Sequence, residues 1–220
     1  MAIVLNPLLS FAAHGKFAEQ FTFVRTIAYQ HAKKYSRPTG DASPEQILAR
    51  LNMSAVSRNW NDMFSSAQNL AAWELYAHEK NRTLTAANCF IRSALKLTPE
   101  NQAPAFALAA YGVGRVLVVK MVDAFTGAIA SETGSFLIAR GEAAEDMVFK
   151  KSPAIDAGSI IGPVAPAAGT FFYQIYKDDV PRSGIIELTQ TQAATYNQAE
   201  AAGVTYDQLL NAGITWDDLI

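Results

Sequence analysis

The sequence predicts a multi-part α+β chain: an N-terminal β arm or hairpin, a small three-helix bundle, an antiparallel β-sandwich and a short helical tail. Three observations lead there. A well-capped helical pattern opens at Ser43, short β-prone runs fill the second half, and a ten-residue repeat closes the chain. With 220 residues there is room for two domains of about 100 residues each. The expected parts are 1–40 for the arm, 41–99 for the helical domain, 100–110 for a linker, 111–192 for the sandwich and 193–220 for the repeat tail.

In the arm, Phe21, Phe23 and Arg25 alternate with Thr22, Val24 and Thr26, which is strand periodicity. Lys33, Lys34 and Arg37 follow, and a cationic cluster of this kind keeps a strand edge from pairing with other chains. Docking to an acidic neighbour is the alternative use of that cluster. The stretch Met1 to Ala13 is apolar but interrupted by Asn6 and Pro7, and no basic residue precedes it, so it is expected to be mature protein.

The helical part starts with an explicit signal. Ser43 is placed to cap, Pro44 suits the first helical position, and Gln46 completes a capping box. Ile47, Leu51, Val56, Trp60, Met63 and Phe64 form one apolar stripe, broken by Ser65 and Ser66. A second helix carries Leu70, Trp73, Tyr76 and Ala77 on one side. Thr85 is placed to cap a third, with Phe90, Ile91, Ala94 and Leu95 inward. Trp60 and Trp73 are expected in the core of this bundle.

Beyond the linker, Val116–Val122, Gly134–Gly141, Met147–Lys151, Thr170–Tyr176 and Ile185–Thr191 are β-prone, and Gly, Pro and Asp punctuate them. Asp178 to Gly184 is expected to connect the last two. Several short strands with turn signals suggest a sandwich of immunoglobulin-like or fibronectin-like type, resting on its core alone because only one cysteine, Cys89, is present.

The tail repeats in register: Thr195-Tyr196-Asn197-Gln198 closed by Gly203-Val204, Thr205-Tyr206-Asp207-Gln208 closed by Gly213-Ile214, then Thr215-Trp216-Asp217-Asp218-Leu219. Thr caps a helical turn, Asp or Asn sits near its positive end, and Gly supplies a left-handed stop. Such units build a stack of helical turns, or a peg for a partner. The candidate partner contacts are Tyr196, Tyr206, Trp216 and Leu219 here and Phe21 and Phe23 in the arm.

Reactive chemistry is not signalled. His14, His31 and His78 are scattered, no metal-ligand spacing or Gly-x-Ser-x-Gly elbow occurs, and Gly112-Val113-Gly114 leads into a strand where a dinucleotide fingerprint leads into a helix. No catalytic, metal or cofactor-binding residue is therefore assigned, and no enzyme activity or cofactor is expected. The net charge of −2 offers no field for a phosphate backbone, and no run reaches the roughly 18 apolar residues of a membrane span, so neither nucleic acid nor membrane is an expected partner.

Gly15-Lys16-Phe17, Val24-Arg25, Arg37-Pro38, Ser43-Pro44-Glu45-Gln46 with Arg50, Trp60, Ala71-Ala72-Trp73 and Ala87-Asn88-Cys89-Phe90-Ile91-Arg92 stand in an order that resembles a group of tailed-bacteriophage structural proteins. The terminal Thr-Trp-Asp-Asp-Leu is similar to repeat tails of phage tail and fibre proteins. The resemblance covers roughly residues 15–95 and 195–220, through short motifs of structural residues. Two features depart from it: bulky residues crowd the segment before Arg25, and Tyr196 and Tyr206 stand where the repeat usually has Trp. It implies a virion component (capsid decoration, neck or tail accessory) made in the host cytoplasm, with other virion proteins as partners and a homo-oligomer or symmetric array as its state. It supplies no site residues. The alternative is a host-surface glycan-binding module stacking sugars on Phe172, Tyr173 and Tyr176, and a third is a particle-borne wall hydrolase.

Overall fold

The computed structural model describes residues 3–4, 13–17, 21–25, 30–34, 41–80, 83–97, 104–132, 136–151 and 158–219. The chain is α+β and divides into two units, Met1–Ile47 and Leu48–Ile220.

In the first unit, β1 (Ile3–Val4), β2 (Ala13–Phe17), β3 (Phe21–Arg25) and β4 (Gln30–Lys34) form a four-stranded antiparallel sheet in sequence order. The expected arm is thus a meander. Lys33 and Lys34 lie on β4, an edge strand of this sheet, where cations discourage further pairing. The side chains of Phe21 and Phe23 lie outside the described residues. At the end of the unit the capping box forms as the sequence indicates: Ser43 Oγ accepts from Gln46 N at 3.3 Å, and Ser43 N donates to Gln46 Oε1 at 3.2 Å.

Helix α1 (Pro44–Asn59) runs into a π turn, Trp60–Phe64, and is followed by α2 (Ala67–Lys80) and α3 (Ala86–Leu95). Thr85 caps α3, its side chain accepting from Asn88 N. The buried stripe is shorter than the sequence pattern. Val56, Trp60 and Phe64 are buried, whereas Ile47 and Leu51, read as inward, are 48% and 61% exposed. Leu70 and Leu95 also differ, at 39% and 38% exposed. The reason is packing geometry. The helices centre on Phe90, which is fully buried and meets Phe64 at 4.6 Å, Trp60 at 5.1 Å, Trp73 at 5.7 Å and Phe106 at 5.4 Å between ring centroids. Side chains on the first turns of α1 fall outside that cluster.

Phe106 is a strand residue, and with Val122 and Ala124 it completes the helical core. The three helices are therefore not closed on themselves. The expected linker 100–110 also differs: β5 (Ala105–Val113) begins inside it and pairs with β6 (Val116–Asp123). Repeated alanine reads as linker composition, but here small side chains let β5 approach its neighbours closely. Leu108 is an extra residue in the ladder, opposite the step from Met121 to Lys120, and this bulge lets Ala107 and Ala110 face the same side.

The β5–β6 hairpin is buried on both faces. Ala105, Ala107, Ala110, Leu117, Val119 and Met121 enter one core, shared with a second sheet. On the reverse face, Phe106 and Val122 meet the helices, while Val113, Val116 and Val118 meet the tail. This explains why 116–122 is apolar at every position but Lys120: alternation is hidden when both sides are dry.

The hairpin joins β9 (Ser159–Val164) in a three-stranded antiparallel sheet. Strand β9 went unread because Gly162 and Pro163 punctuate it; Gly162 has φ of 106°. The second sheet holds β7 (Leu137–Gly141), β8 (Val148–Lys151), β10 (Gly169–Lys177), β11 (Val180–Pro181) and β12 (Ile186–Gln190), with β10 central between β7 and β12. Phe171, Tyr173 and Ile175 of β10 point into the shared core. Strands β10 and β11 turn through Asp178 and Asp179, whose φ values of 51° and 60° are those of a two-residue hairpin loop.

The segment 178–184, read as a connection, is where the two sheets are stapled. Arg182 N donates to Ile175 O at 2.8 Å, and Arg182 O accepts from Ala107 N at 2.8 Å. Its guanidinium, 2% exposed, lies over Phe106 and grips Glu132 with both terminal nitrogens, at 3.1 and 3.0 Å. Glu132 also accepts from Ala105 N at 2.7 Å and pairs with Lys177 at 2.9 Å. Burial pushes the Arg182 guanidinium below its usual range, and the Glu132 and Asp178 carboxylates oppose this. Next to it, Gly184 lies so close to α2 that a Cβ would sit 2.4 Å from the carbonyl of Ala72, so only glycine fits.

The outer edge of β5 is closed by side chains. Gln68 exchanges two hydrogen bonds with Ala110, at 2.9 and 3.0 Å, and Asn69 donates to the carbonyls of Ala107 and Leu108. These bonds both fix α2 on the strand and block further pairing.

Two predictions follow from the packing. Phe90→Ala removes the ring on which four others converge and lowers stability by about 3–5 kcal/mol, read by urea denaturation of the full chain. Glu132→Gln leaves two cations facing a neutral amide and costs about 3–5 kcal/mol. Lys177→Met, at the rim of the cluster, costs clearly less in the same measurement.

Candidate functional site: a groove in the C-terminal repeat

The repeat folds as three short helices, α4 (Tyr196–Ala202), α5 (Tyr206–Asn211) and α6 (Trp216–Leu219). The first two copies share their capping boxes and their closing bonds. Thr195 and Thr205 cap, and Gln198 and Gln208 return a bond to the capping residue's N–H, giving a capping box in each. Gly203 N donates to Glu200 O and Gly213 N to Leu210 O, both at 2.9 Å. Val204 N reaches back to Ala199 O and Ile214 N to Leu209 O. Gly203 and Gly213 have φ of 65° and 79°, the left-handed stop that the sequence signals.

The repeat is docked on its own chain. Val204, Ile214, Leu209 and Ala202 are buried with Val113, Val116, Val118 and Ile161 of the three-stranded sheet. Gln198 also fastens the first copy to the hairpin tip: its Oε1 accepts from Gly114 N at 3.1 Å, and its Nε2 donates to Thr191 Oγ1 at 3.0 Å. At the far end, Arg115 donates to the Asp217 carbonyl at 3.0 Å, and Ala194 N donates to Leu219 O. The closing aliphatics therefore bury against the sheet of the same chain, whereas a stack or a free peg was expected.

Between the copies the repeat leaves an apolar groove of about 540 Å³. Val113, Val204, Leu209 and Leu219 line it, Tyr206 forms part of its wall, and Glu200 is its one acidic lining residue. Tyr196 stands at its lip, 81% exposed. The structure thus brings together three of the six anticipated contact residues, in different roles. Tyr196 is free to meet a partner and Tyr206 is half-buried. Leu219 is 4% exposed and packs inside the chain, which corrects its reading as a contact, because the third copy is folded against the sheet. The side chain of Trp216 lies outside the described residues, as do those of Phe21 and Phe23.

Sequence reasoning missed Gln198 and Glu200. The signal for Gln198 was present in the Thr-x-x-Gln spacing of both copies; its second duty, holding Gly114, depends on the fold. A second groove, of about 520 Å³, is lined by Arg115, Pro166, Ala167, Ala168 and Gln192 and gathers no second charged group. Among the described residues no group of three or more His, Cys, Asp or Glu is placed to hold a metal ion. No helix among them is long and apolar enough to cross a membrane.

Of the three residues named for sugar stacking, Phe172 and Tyr176 are half-buried and one is sealed. Tyr173 is fully buried, its hydroxyl donating to Gln190 Oε1, and burial pushes its phenol up to about 12. Tyr176 is half-buried, its hydroxyl donating to Gln174 Oε1 at 2.8 Å; burial, then the neighbouring Tyr76, pushes it up to about 12 as well.

Because Gln198 serves both as cap partner and as tether while Gln208 serves only as cap partner, Gln198→Ala is expected to cost about 1–2 kcal/mol. Gln208→Ala should cost about half as much. Limited proteolysis reads the difference directly: cleavage within 193–220 accelerates in the first variant and changes little in the second. Compared with known protein families, curated proteins and solved structures, the chain matches none.

Proposed function

We propose that this protein is a non-enzymatic structural component of a tailed-phage particle, a capsid decoration or a neck or tail accessory, that acts through protein–protein contacts. In this reading the two facing sheets form a sandwich of immunoglobulin-like or fibronectin-like type that serves as a rigid body, and the repeat presents the contact surface. One observation carries it: the repeat builds an apolar groove with Tyr196 at its lip, the most exposed large hydrophobic side chain among the described residues. An exposed aromatic beside an apolar recess is the kind of anchor that protein interfaces use.

The use of charge supports the same reading. Glu132, Arg182 and Lys177 are grouped in the interior, where a reactive cluster would draw notice, but they are bonded to each other and to strand backbone. Their arrangement is a fastening. The glycan-binding alternative loses one of its three stacking residues, since Tyr173 is sealed within the core, and keeps Phe172 and Tyr176 half-buried. The ionisable groups lining the groove are Glu200 and two tyrosines, which is a poor set for hydrolysis.

Quantitative mass spectrometry of purified particles tests this. The chain is expected at a fixed copy number that matches a symmetric set of sites. Trace abundance, or its absence from particles whose other structural proteins are complete, would overturn the proposal.

A further inference from the structure

Building on the assembly reading, we infer that the tail groove of one copy receives the N-terminal arm of a second copy, so that the chain associates head to tail. The charges are complementary and segregated to the two ends. Residues 1–40 carry Lys16, Arg25, Lys33, Lys34 and Arg37 against Glu19 alone. Residues 193–220 carry Glu200, Asp207, Asp217 and Asp218 and no Lys or Arg. A chain with a net charge of −2 has thus placed opposite charge at its two ends. Among the described residues Glu200, Asp207 and Asp217 form no ion pair; the cations nearest the tail are Arg115, which donates to the Asp217 carbonyl, and Lys120, whose Nζ lies beside Gly203.

The apolar chemistry matches as well. The groove offers aliphatic walls, an aromatic lip at Tyr196 and one acidic lining residue, Glu200. In the arm, the β3–β4 register sets Phe21 opposite Lys34 and Thr22 opposite Lys33. An aromatic and a cation at neighbouring ladder positions are complementary to an apolar recess with an acidic rim. Because two different surfaces meet, the contact is heterologous, and it produces rings or open chains according to the rotation between copies. Opposite charges at its rim make it sensitive to salt.

Photo-cross-linking on the full chain tests this. Benzoylphenylalanine is substituted for Tyr196, and unlabelled and ¹⁵N-labelled copies are mixed at low salt. Cross-links from position 196 to peptides within 1–40 are expected, with mixed-isotope pairs prominent, and about 1 M salt should suppress them. Glu200→Lys, at an exposed site near the end of α4, should reduce their yield severalfold. Pairing that variant with copies carrying Lys33→Glu and Lys34→Glu should restore it. Cross-links confined to same-isotope pairs would mean that the arm seats on its own chain, and tail-to-tail products would mean a symmetric contact; each overturns the inference. A monomer by sedimentation with no cross-links does so too. A chain that is stoichiometric in particles yet shows no arm-to-tail product would end this inference and leave the virion reading standing, while cross-linking chains absent from particles would do the reverse.

Discussion

The β5–β6 hairpin is the element on which the rest of the second unit depends, because it is the floor of three cores at once. Side chains at 117, 119 and 121 fill the space between the sheets, Val122 and Phe106 receive the helices, and Val116 and Val118 receive the tail. An antiparallel hairpin with one wet face would alternate apolar and polar residues. Here no face is wet, so nearly every position is apolar, and even Lys120 lays its ammonium over the ring of Tyr111. Substituting a polar residue anywhere along 116–119 would reach at least one core.

A two-faced hairpin raises a second problem, since its backbone edge must be satisfied without exposing a template for other strands. The chain solves this with side chains and one buried ion cluster. Gln68 and Asn69 reach from α2, and Glu132 and the Arg182 backbone reach from loops. Burying Arg182 is costly in itself, and the cost is offset only while Glu132 remains in place. That arrangement ties β5, β10 and the loop after β11 to a single point, which gives the two sheets one relative position.

How much of this was legible in the sequence follows from the range of the interactions. Local rules worked: the Ser43 and Thr85 caps, the left-handed glycines 203 and 213, and strands β6, β7, β8, β10 and β12 depend on neighbours in the chain. Non-local use was hidden. The alanines of 105–110 look like linker until their tight fit against the opposing sheet is seen. The apolar stripe of α1 looked uniformly inward because periodicity says which residues share a face but not how far the core extends. Gly162 and Pro163 look like a break, yet β9 pairs with β6 through a register shift that accommodates them. The groove was the least visible feature. Its aromatic lip and glycine stops could be read from the repeat, but the decision to fold the repeat onto the hairpin, which turns a peg into a recess, lies in Gly114, Arg115 and Gln198 acting together.

The body thus commits most of its apolar side chains to its own interior, and leaves the tail groove and the first turns of α1 as apolar surface. Hydrogen exchange with mass spectrometry on the full chain probes the central claim most directly. If the hairpin is the common floor, amides of 105–123 exchange slowest, and the helices and the tail open before it does. Retention of protection in 67–95 or 196–219 while 105–123 exchanges early would show that those elements stand without the hairpin, and would contradict the account.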